Sequence, residues 1–188
     1  MYGDNGEIVV YLAENIGKDS AKCLDSCLED YIKRKKISLP EPIRIIRSEQ
    51  QKPKTNFSEV QFSVSHSGDL WACGVSSRPL GIDLELHRNI YMAERISRRF
   101  FHPAEYEYLK QYGFAEAPFF SVWTAKESYV KYTGEGISEH YSSFSAVEDL
   151  KLSGKINGIP YRYFPVKEGY SFCVSSKVMG SITFVYLK

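Results

Sequence analysis

Asp83 and Glu85, in the run Gly81-Ile82-Asp83-Leu84-Glu85, are the first residues of this sequence whose types and spacing can carry chemistry. In a strand, residues i and i+2 point to one face. Both carboxylates then project side by side, while Ile82 and Leu84 point into a core. Two carboxylates this close repel each other unless a cation stands between them. A hard divalent ion such as Mg²⁺ takes oxygen ligands, commonly one or two carboxylates together with substrate phosphates. The pair is half of a candidate site for a phosphate-carrying metal. The same residues also fit a solvated strand end leading to His87 and Arg88.

Two more stretches carry reactive side chains. Val60, Phe62 and Val64 alternate with polar residues and lead into Ser65-His66-Ser67-Gly68, read as a turn. Open N–H groups and hydroxyls in such a turn can take a phosphate. An ordinary serine-rich turn fits equally. Hydrolase chemistry at His66 finds no support, because no acid partner or nucleophile elbow is visible. Trp123-Thr124-Ala125-Lys126-Glu127-Ser128 sets Lys126 and Glu127 inside an otherwise apolar helical segment. Trp123, Glu127 and Lys131 share one side of that helix by i, i+4 spacing. A surface ion pair between Glu127 and Lys131 is the plain alternative.

The elements that must position these residues follow from periodicity and punctuation. Ile8 to Leu12 reads as a strand. A helix capped by Asp19 or Ser20 runs to about Lys36, and its basic end, Lys33-Arg34-Lys35-Lys36, complements the helix dipole. Ile43 to Arg47 reads as a short strand and Ser48 to Asn56 as a loop. Leu70 to Val75 and Pro79 to Leu84 read as strands. Helices are expected over Tyr91 to Phe101, from Pro103 to about Tyr112, and over Phe119 to Tyr132, closed by Gly134-Glu135-Gly136. Strand-like segments then alternate with turns: Phe144 to Val147, Tyr161 to Phe164, Tyr170 to Val174 and Ile182 to Leu187. Val75-Ser76-Ser77-Arg78-Pro79-Leu80-Gly81 recurs as Val174-Ser175-Ser176-Lys177-Val178-Met179-Gly180. The repeat suggests two lobes related by duplication, each with a strand–turn–strand hairpin. In that register Ile182 and Phe184 occupy the places of Asp83 and Glu85.

Bulk properties narrow the function classes. The 188 residues carry 24 Lys plus Arg against 23 Asp plus Glu, which gives no global case for nucleic-acid or membrane binding by charge. With 14 Tyr and 11 Phe, a substantial core is available. Cys23, Cys27, Cys73 and Cys173 match neither a zinc spacing nor a disulfide framework; Cys23 and Cys27, one helical turn apart, read as two buried thiols, with half a metal site as the alternative. Met1 to Glu7 lacks the pattern of a signal peptide, and no apolar run reaches the ~18 residues of a spanning helix. The expectation is a cytoplasmic protein.

Phe62 to Gly68, Gly81 to Glu85 and Trp123 to Ser128 together resemble the 4'-phosphopantetheinyl transferases of the surfactin-synthetase-activating (Sfp) type. The corresponding patterns are a Ser-His-Ser-Gly turn, Gly-(Ile/Val)-Asp-x-Glu and Trp-x-x-Lys-Glu-(Ser/Ala). Arg98-Arg99-Phe100-Phe101 with Glu105-Tyr106 resembles the intervening Arg-Phe-Phe…Glu-Tyr segment. Each block alone is weak; four in order over Phe62 to Gly136 are specific.

The resemblance implies an α+β fold of two similar lobes in pseudo-twofold relation, 1–85 and 86–188, with the active site between them. It implies Mg²⁺-dependent transfer of the phosphopantetheine arm from coenzyme A to a serine of an apo acyl or peptidyl carrier protein, releasing adenosine 3',5'-bisphosphate. Carried over by position, Asp83, Glu85 and Glu127 are the Mg²⁺ ligands. Ser65 and His66 contact the coenzyme A phosphates, and Lys126 and Lys131 lie against the pyrophosphate. Lys52, in Gln51-Lys52-Pro53, resembles a Gly-Lys-Pro loop at the nucleotide end, with Gln51 in place of the glycine. Lys126 would also stabilise charge in the transition state, because phosphoryl transfer leaves the protein mainly positioning and neutralisation to do. Glu127, a water it orients, or Glu105 would take the serine proton; Glu105 equally fits a first-turn helix residue.

The N-terminal part departs from the family. Where larger members carry a basic segment that helps hold the 3'-phosphate, only Lys18-Asp19-Ser20-Ala21-Lys22 stands here, which leaves that role to Lys18, Lys22 or the Lys52–Lys54 loop. The first lobe is short, so a non-catalytic carrier-protein or nucleotide-binding module is the alternative. The resemblance implies a monomer with a complete site, and Gly134 to Ser145 lining the carrier side. The residues do not choose among fatty-acid, polyketide and peptide synthesis carriers.

Overall fold

Strand alternation sorts the apolar side chains of this chain into layers. The computed structural model describes residues 6–48, 52–134 and 139–187. The first half runs β1 (Ile8–Glu14), α1 (Ser20–Lys35), β2 (Ile45–Ile46), β3 (Lys54–Thr55), β4 (Gln61–Ser67) and β5 (Leu70–Ser76). There follow β6 (Gly81–Leu86), α2 (Ala93–Phe100), α3 (Pro103–Gln111) and α4 (Glu116–Thr133). The remainder is β7 (Val147–Glu148), β8 (Lys151–Leu152), β9 (Lys155–Ile156), β10 (Ile159–Tyr163), β11 (Tyr170–Ser175) and β12 (Ile182–Tyr186). This is the mixed α and β composition the sequence predicts.

Two four-stranded sheets form, ordered β12-β1-β5-β4 and β6-β11-β10-β9. Along β1, Val9 and Tyr11 pack under Leu24, Cys27, Leu28 and Tyr31 of α1. The alternate residues Ile8, Val10 and Leu12 meet Ile82 and Leu84 of β6 and Phe172 and Val174 of β11, in the core between the sheets. On the far side, α4 packs Phe119, Phe120, Val122 and Ala125 against Tyr161 and Cys173. The layers are thus α1, sheet, sheet, α4, each apolar face covered by the next. Because Ile82 and Leu84 face the intersheet core, Gly81, Asp83 and Glu85 face α4.

Gly81 makes that approach possible. A Cβ there would lie 1.9 Å from the Ser128 carbonyl oxygen and 2.4 Å from the Tyr132 nitrogen. Only glycine lets the strand come this close to the helix backbone.

The edge of β6 that faces away from β11 is closed by side chains. Its N–H groups at Ile82, Leu84 and Leu86 donate to the hydroxyls of Ser63, Ser65 and Ser67 on β4, at 3.0, 3.2 and 3.1 Å. Serines at every second position thereby join the two sheets along a seam that satisfies an otherwise open strand edge.

Several expectations change. Ser65-His66-Ser67 is not a turn: these residues belong to β4, paired with Ala72, Trp71 and Leu70 of β5, and the chain reverses at Gly68-Asp69. Neither copy of the repeat is a hairpin, because β5 does not pair with β6 and β11 does not pair with β12. Each copy instead carries the chain from one sheet to the other. Ile182 and Phe184 do not take the places of Asp83 and Glu85, since β12 runs parallel to β1. In the first sheet it is β1 that lies beside β5 as β6 lies beside β11. Phe144 stands after a 3₁₀ turn, Glu139–Ser143, rather than in a strand. Glu135 and Gly136, expected to close α4, lie outside the described residues; Gly134 caps it in the left-handed conformation, φ 78°.

Candidate active site

Asp83 reaches α4 at the turn carrying Glu127 and Lys131. It is 4% exposed and Glu127 7%. Asp83 Oδ1 accepts from Ser65 Oγ at 2.8 Å and from Lys131 Nζ at 2.7 Å. Lys131 Nζ also donates to Ser65 Oγ at 3.0 Å. Ser65 is thus engaged three ways, with Leu84 N, Asp83 and Lys131, and its hydroxyl serves the seam as well as the site.

The opposite oxygens are unsatisfied. Asp83 Oδ2 and Glu127 Oε1 are buried acceptors without a hydrogen-bond partner. Burial raises the pKa of Asp83, against the pull of Lys131 and Ser65. Burial and then the Asp83 charge push Glu127 up to about 7, with Lys131 opposing. Two buried carboxylates whose pKa values are both raised, each with a spare oxygen, form a donor set suited to a hard cation. The third expected ligand is turned differently. Glu85 Oε2 accepts from Ser67 Oγ at 2.7 Å and faces Arg88 Nη1 at 3.6 Å. Among the described residues no group of three acidic, His or Cys side chains converges as a metal centre. The residues therefore fit Mg²⁺ held by Asp83 and Glu127, an ion that routinely completes its shell with water and phosphate oxygen. Glu85 adds charge from the flank.

Beside this pair opens a cleft of about 560 Å³. Glu127, Val130 and Lys131 form one wall, Leu24 and Ala21 of α1 with Phe62 and Val64 of β4 another, and Arg47, Lys52 and Pro53 the rim. Lys52 Nζ donates to the Leu80 carbonyl at 2.5 Å. Burial, reinforced by Lys131, lowers its pKa to about 8. Lys52 and Lys131 thus stand near each other beside carboxylates that keep unsatisfied oxygens, although Lys131 already pairs with Asp83. Phosphate and metal together would satisfy both.

Two expected residues stand elsewhere. His66 alternates with Ser65 along β4 and points to the opposite face, exposed. It lines a second cleft of about 420 Å³ with Asp69 and Trp71; Ser20, at the start of α1, borders both clefts. Lys126 points away from the carboxylate pair. Its ammonium is 2.9 Å from Glu105 Oε2 and 2.5 Å from the Phe144 carbonyl, and lies 4.2 Å over the Phe144 ring. Glu105 also accepts from Ala146 N at 2.7 Å and from His102 N at 2.9 Å. The last bond is half of a helix cap at the start of α3, so the first-turn reading of Glu105 holds. The Lys18 side chain, Gln51 and residues 135–138 lie outside the described residues, and with them part of the segment Gly134 to Ser145.

Sequence reasoning missed Arg47 and the serine seam. The seam was detectable as serines at 63, 65 and 67; Arg47 left no signal, because only the chain's path brings it to the cleft.

A family model described as the 4'-phosphopantetheinyl transferase superfamily matches residues 79–177. The 4'-phosphopantetheinyl transferase gsp of Aneurinibacillus migulanus is 37% identical over 111 residues, covering 57% of this chain and 46% of that protein. The 4'-phosphopantetheinyl transferase Sfp of Bacillus subtilis is 36% identical over 106 residues, 55% of this chain and 46% of its own length. The 4'-phosphopantetheinyl transferase HetI of a Nostoc species is 42% identical over 85 residues, 44% of this chain and 36% of its own length. The chain thus spans half or less of the length of these relatives. Among the described residues, no helix is long and apolar enough to cross a membrane.

Proposed function

Because this chain belongs to the 4'-phosphopantetheinyl transferase superfamily, we propose that it transfers the phosphopantetheine arm of coenzyme A to a serine of an apo acyl or peptidyl carrier protein. The observation that carries this reading is the unsatisfied pair, Asp83 Oδ2 and Glu127 Oε1, beside a cleft rimmed by cations.

In this reading the pyrophosphate lies in the cleft beside Lys131 and the carboxylate pair, with Lys52 and Arg47 toward the nucleotide. The apolar wall of Leu24, Phe62 and Val64 takes the adenine ring. Asp83 and Glu127 would hold Mg²⁺, with Glu85 on its flank; when bound, the ion neutralises charge on the pyrophosphate. The carrier serine Oγ attacks the β-phosphorus, a new O–P bond forms, and the bond to the leaving phosphate breaks. Glu127 is the proposed acceptor of the serine proton, because it keeps an unsatisfied oxygen and lines the cleft. Glu105 is a poor acceptor, its oxygens being held by Lys126, Ala146 N and His102 N. The enclosure of Lys126 supports a bracing role for it rather than contact with phosphate. His66 is left for the outer phosphate side, where the two clefts meet at Ser20.

The matched order of β4-β5-β1 and β10-β11-β6 supports two duplicated lobes in pseudo-twofold relation. We place the boundary at Gly81 rather than after residue 85, because β6 pairs with β11. The site then sits where the lobes meet, and a single cytoplasmic chain is the proposed working unit.

The test is incubation with coenzyme A, Mg²⁺ and a panel of apo carrier proteins, read by intact mass. A carrier gaining the phosphopantetheine mass supports the reading. A folded, Mg²⁺-binding protein that modifies none of them speaks for the carrier- or nucleotide-binding module, which calorimetry with coenzyme A and carrier would then separate.

A further inference from the structure

Tyr141 sits in the 3₁₀ turn Glu139–Ser143, away from every block that carries the family resemblance. It is 7% exposed. Its ring packs 6.0 Å from that of Trp123, 6.2 Å from Phe101 and 5.7 Å from Phe144. Lys126 Nζ stands 4.9 Å over it. These contacts lay the tyrosine along the turn of α4 that carries Trp123, Lys126 and Glu127. Such a ring could be simple core, and a phenylalanine would pack as well.

The hydroxyl is what a core aromatic does not need. It is buried and without a hydrogen-bond partner, as is Glu127 Oε1. Glu127, then Asp83 and Glu105, are the carboxylates whose charge it feels, and Lys126 stands over its ring. A buried donor lacking an acceptor and a buried acceptor lacking a donor thus belong to the same turn of the site, and each unmet group is costly. Asp83 accepts from Ser65 and Glu85 from Ser67, whereas Glu127 Oε1 accepts from no group.

Resting on the transferase reading above, we propose that Tyr141 is a positioning residue for Glu127. Its hydroxyl donates to one oxygen of the carboxylate in the substrate-loaded site, which fixes the other toward Asp83 and the cation. Tyr141 would then do for Glu127 what Ser65 does for Asp83 and Ser67 for Glu85: one hydroxyl orients each acid.

The test is Tyr141→Phe, which keeps the ring and its aromatic contacts. Loss of one such hydrogen bond should lower kcat for transfer roughly tenfold while the KM for coenzyme A stays within about twofold. Mn²⁺ affinity, measured on the folded chain without carrier, should weaken by a similar order. Equal kcat and equal Mn²⁺ affinity in wild type and variant would overturn the proposal, as would a rise in KM alone. A direct readout does not depend on activity: the ¹³Cζ resonance of Tyr141, assigned by its absence in Tyr141→Phe, should move on Glu127→Gln. If it stays in place the contact is absent. If it moves in a protein that transfers nothing, the contact stands and the transferase reading falls.

Discussion

Lys126 and Glu105 meet at 2.9 Å with both side chains wholly withdrawn from solvent. Five residues along the same helix, Lys131 instead turns to Asp83 and the cleft. Burial lowers the pKa of Lys126 and raises that of Glu105, and each opposes the other's shift. The pair ties α4 to the start of α3 and to the segment at Phe144–Ala146. Removing one partner strands a buried charge, so Lys126→Met should cost about 3–5 kcal/mol of stability in denaturant unfolding. Adding Glu105→Gln should recover a large part of that loss. A stable Lys126→Met protein whose only defect is a higher KM for coenzyme A would return Lys126 to the phosphates.

The carboxylate pair should behave in the opposite sense. Burial raises the pKa of both Asp83 and Glu127, and both keep unsatisfied oxygens, so neutralising one relieves the cost of burying charge in the ion-free chain. Asp83→Asn and Glu127→Gln are expected to hold or raise the unfolding midpoint while lowering transfer by at least about a hundredfold. Chelation by EDTA should stop transfer by the wild type, and Mg²⁺ should restore it.

Gly81→Ala tests the approach of strand to helix. Its Cβ would fall 1.9 Å from the Ser128 carbonyl oxygen, which belongs to helix backbone and cannot rotate away. Separation of β6 from α4 should cost about 1–3 kcal/mol. It should also lower transfer by moving Asp83 away from Glu127. Unchanged thermal stability together with unchanged activity would show that the approach is not required.

Lys52 supplies a pH dependence. Its pKa falls from the ordinary 10.5 to about 8. Between these values the folded chain binds fewer protons than the unfolded one, so this group's contribution to stability rises with pH across that window. Affinity for coenzyme A runs the other way: as Lys52 loses its charge above about pH 8, phosphate binding weakens. Calorimetric titration from pH 7 to 9.5 should show this decline. Lys52→Arg should flatten it, since arginine stays charged.

Arg47 lines the cleft near Lys52, where the N-terminal sequence offers few basic residues. Arg47→Ala should raise the KM for coenzyme A by roughly tenfold, the value of one charge-assisted contact. It should change the KM for 3'-dephospho-coenzyme A much less. Equal effects on both would place Arg47 away from the 3'-phosphate.

The sequence determined the elements and the chemical inventory. Alternation in Ile82 and Leu84 against Asp83 and Glu85 put both acids on one strand face, and the structure bears that out. The helix start at Pro103 was written in local capping chemistry, whereas α1 begins at Ser20 without a side-chain cap. What alternation also said of Ser65 and His66, that they point apart, was hidden by reading their stretch as a turn.

Tertiary structure alone decided which of these residues meet. Whether a carboxylate faces its neighbours, a serine or a lysine depends on how β6 lies against α4 and β4, residues 18 to 48 positions apart in the chain. Local spacing carries no record of that distance. It treated Lys126 and Lys131 as equals, although one is sealed in with Glu105 and the other opens onto the cleft. It also made a trio of Asp83, Glu85 and Glu127. In the fold Asp83 and Glu127 keep spare buried oxygens, and Glu85, less buried, accepts from Ser67 and faces Arg88.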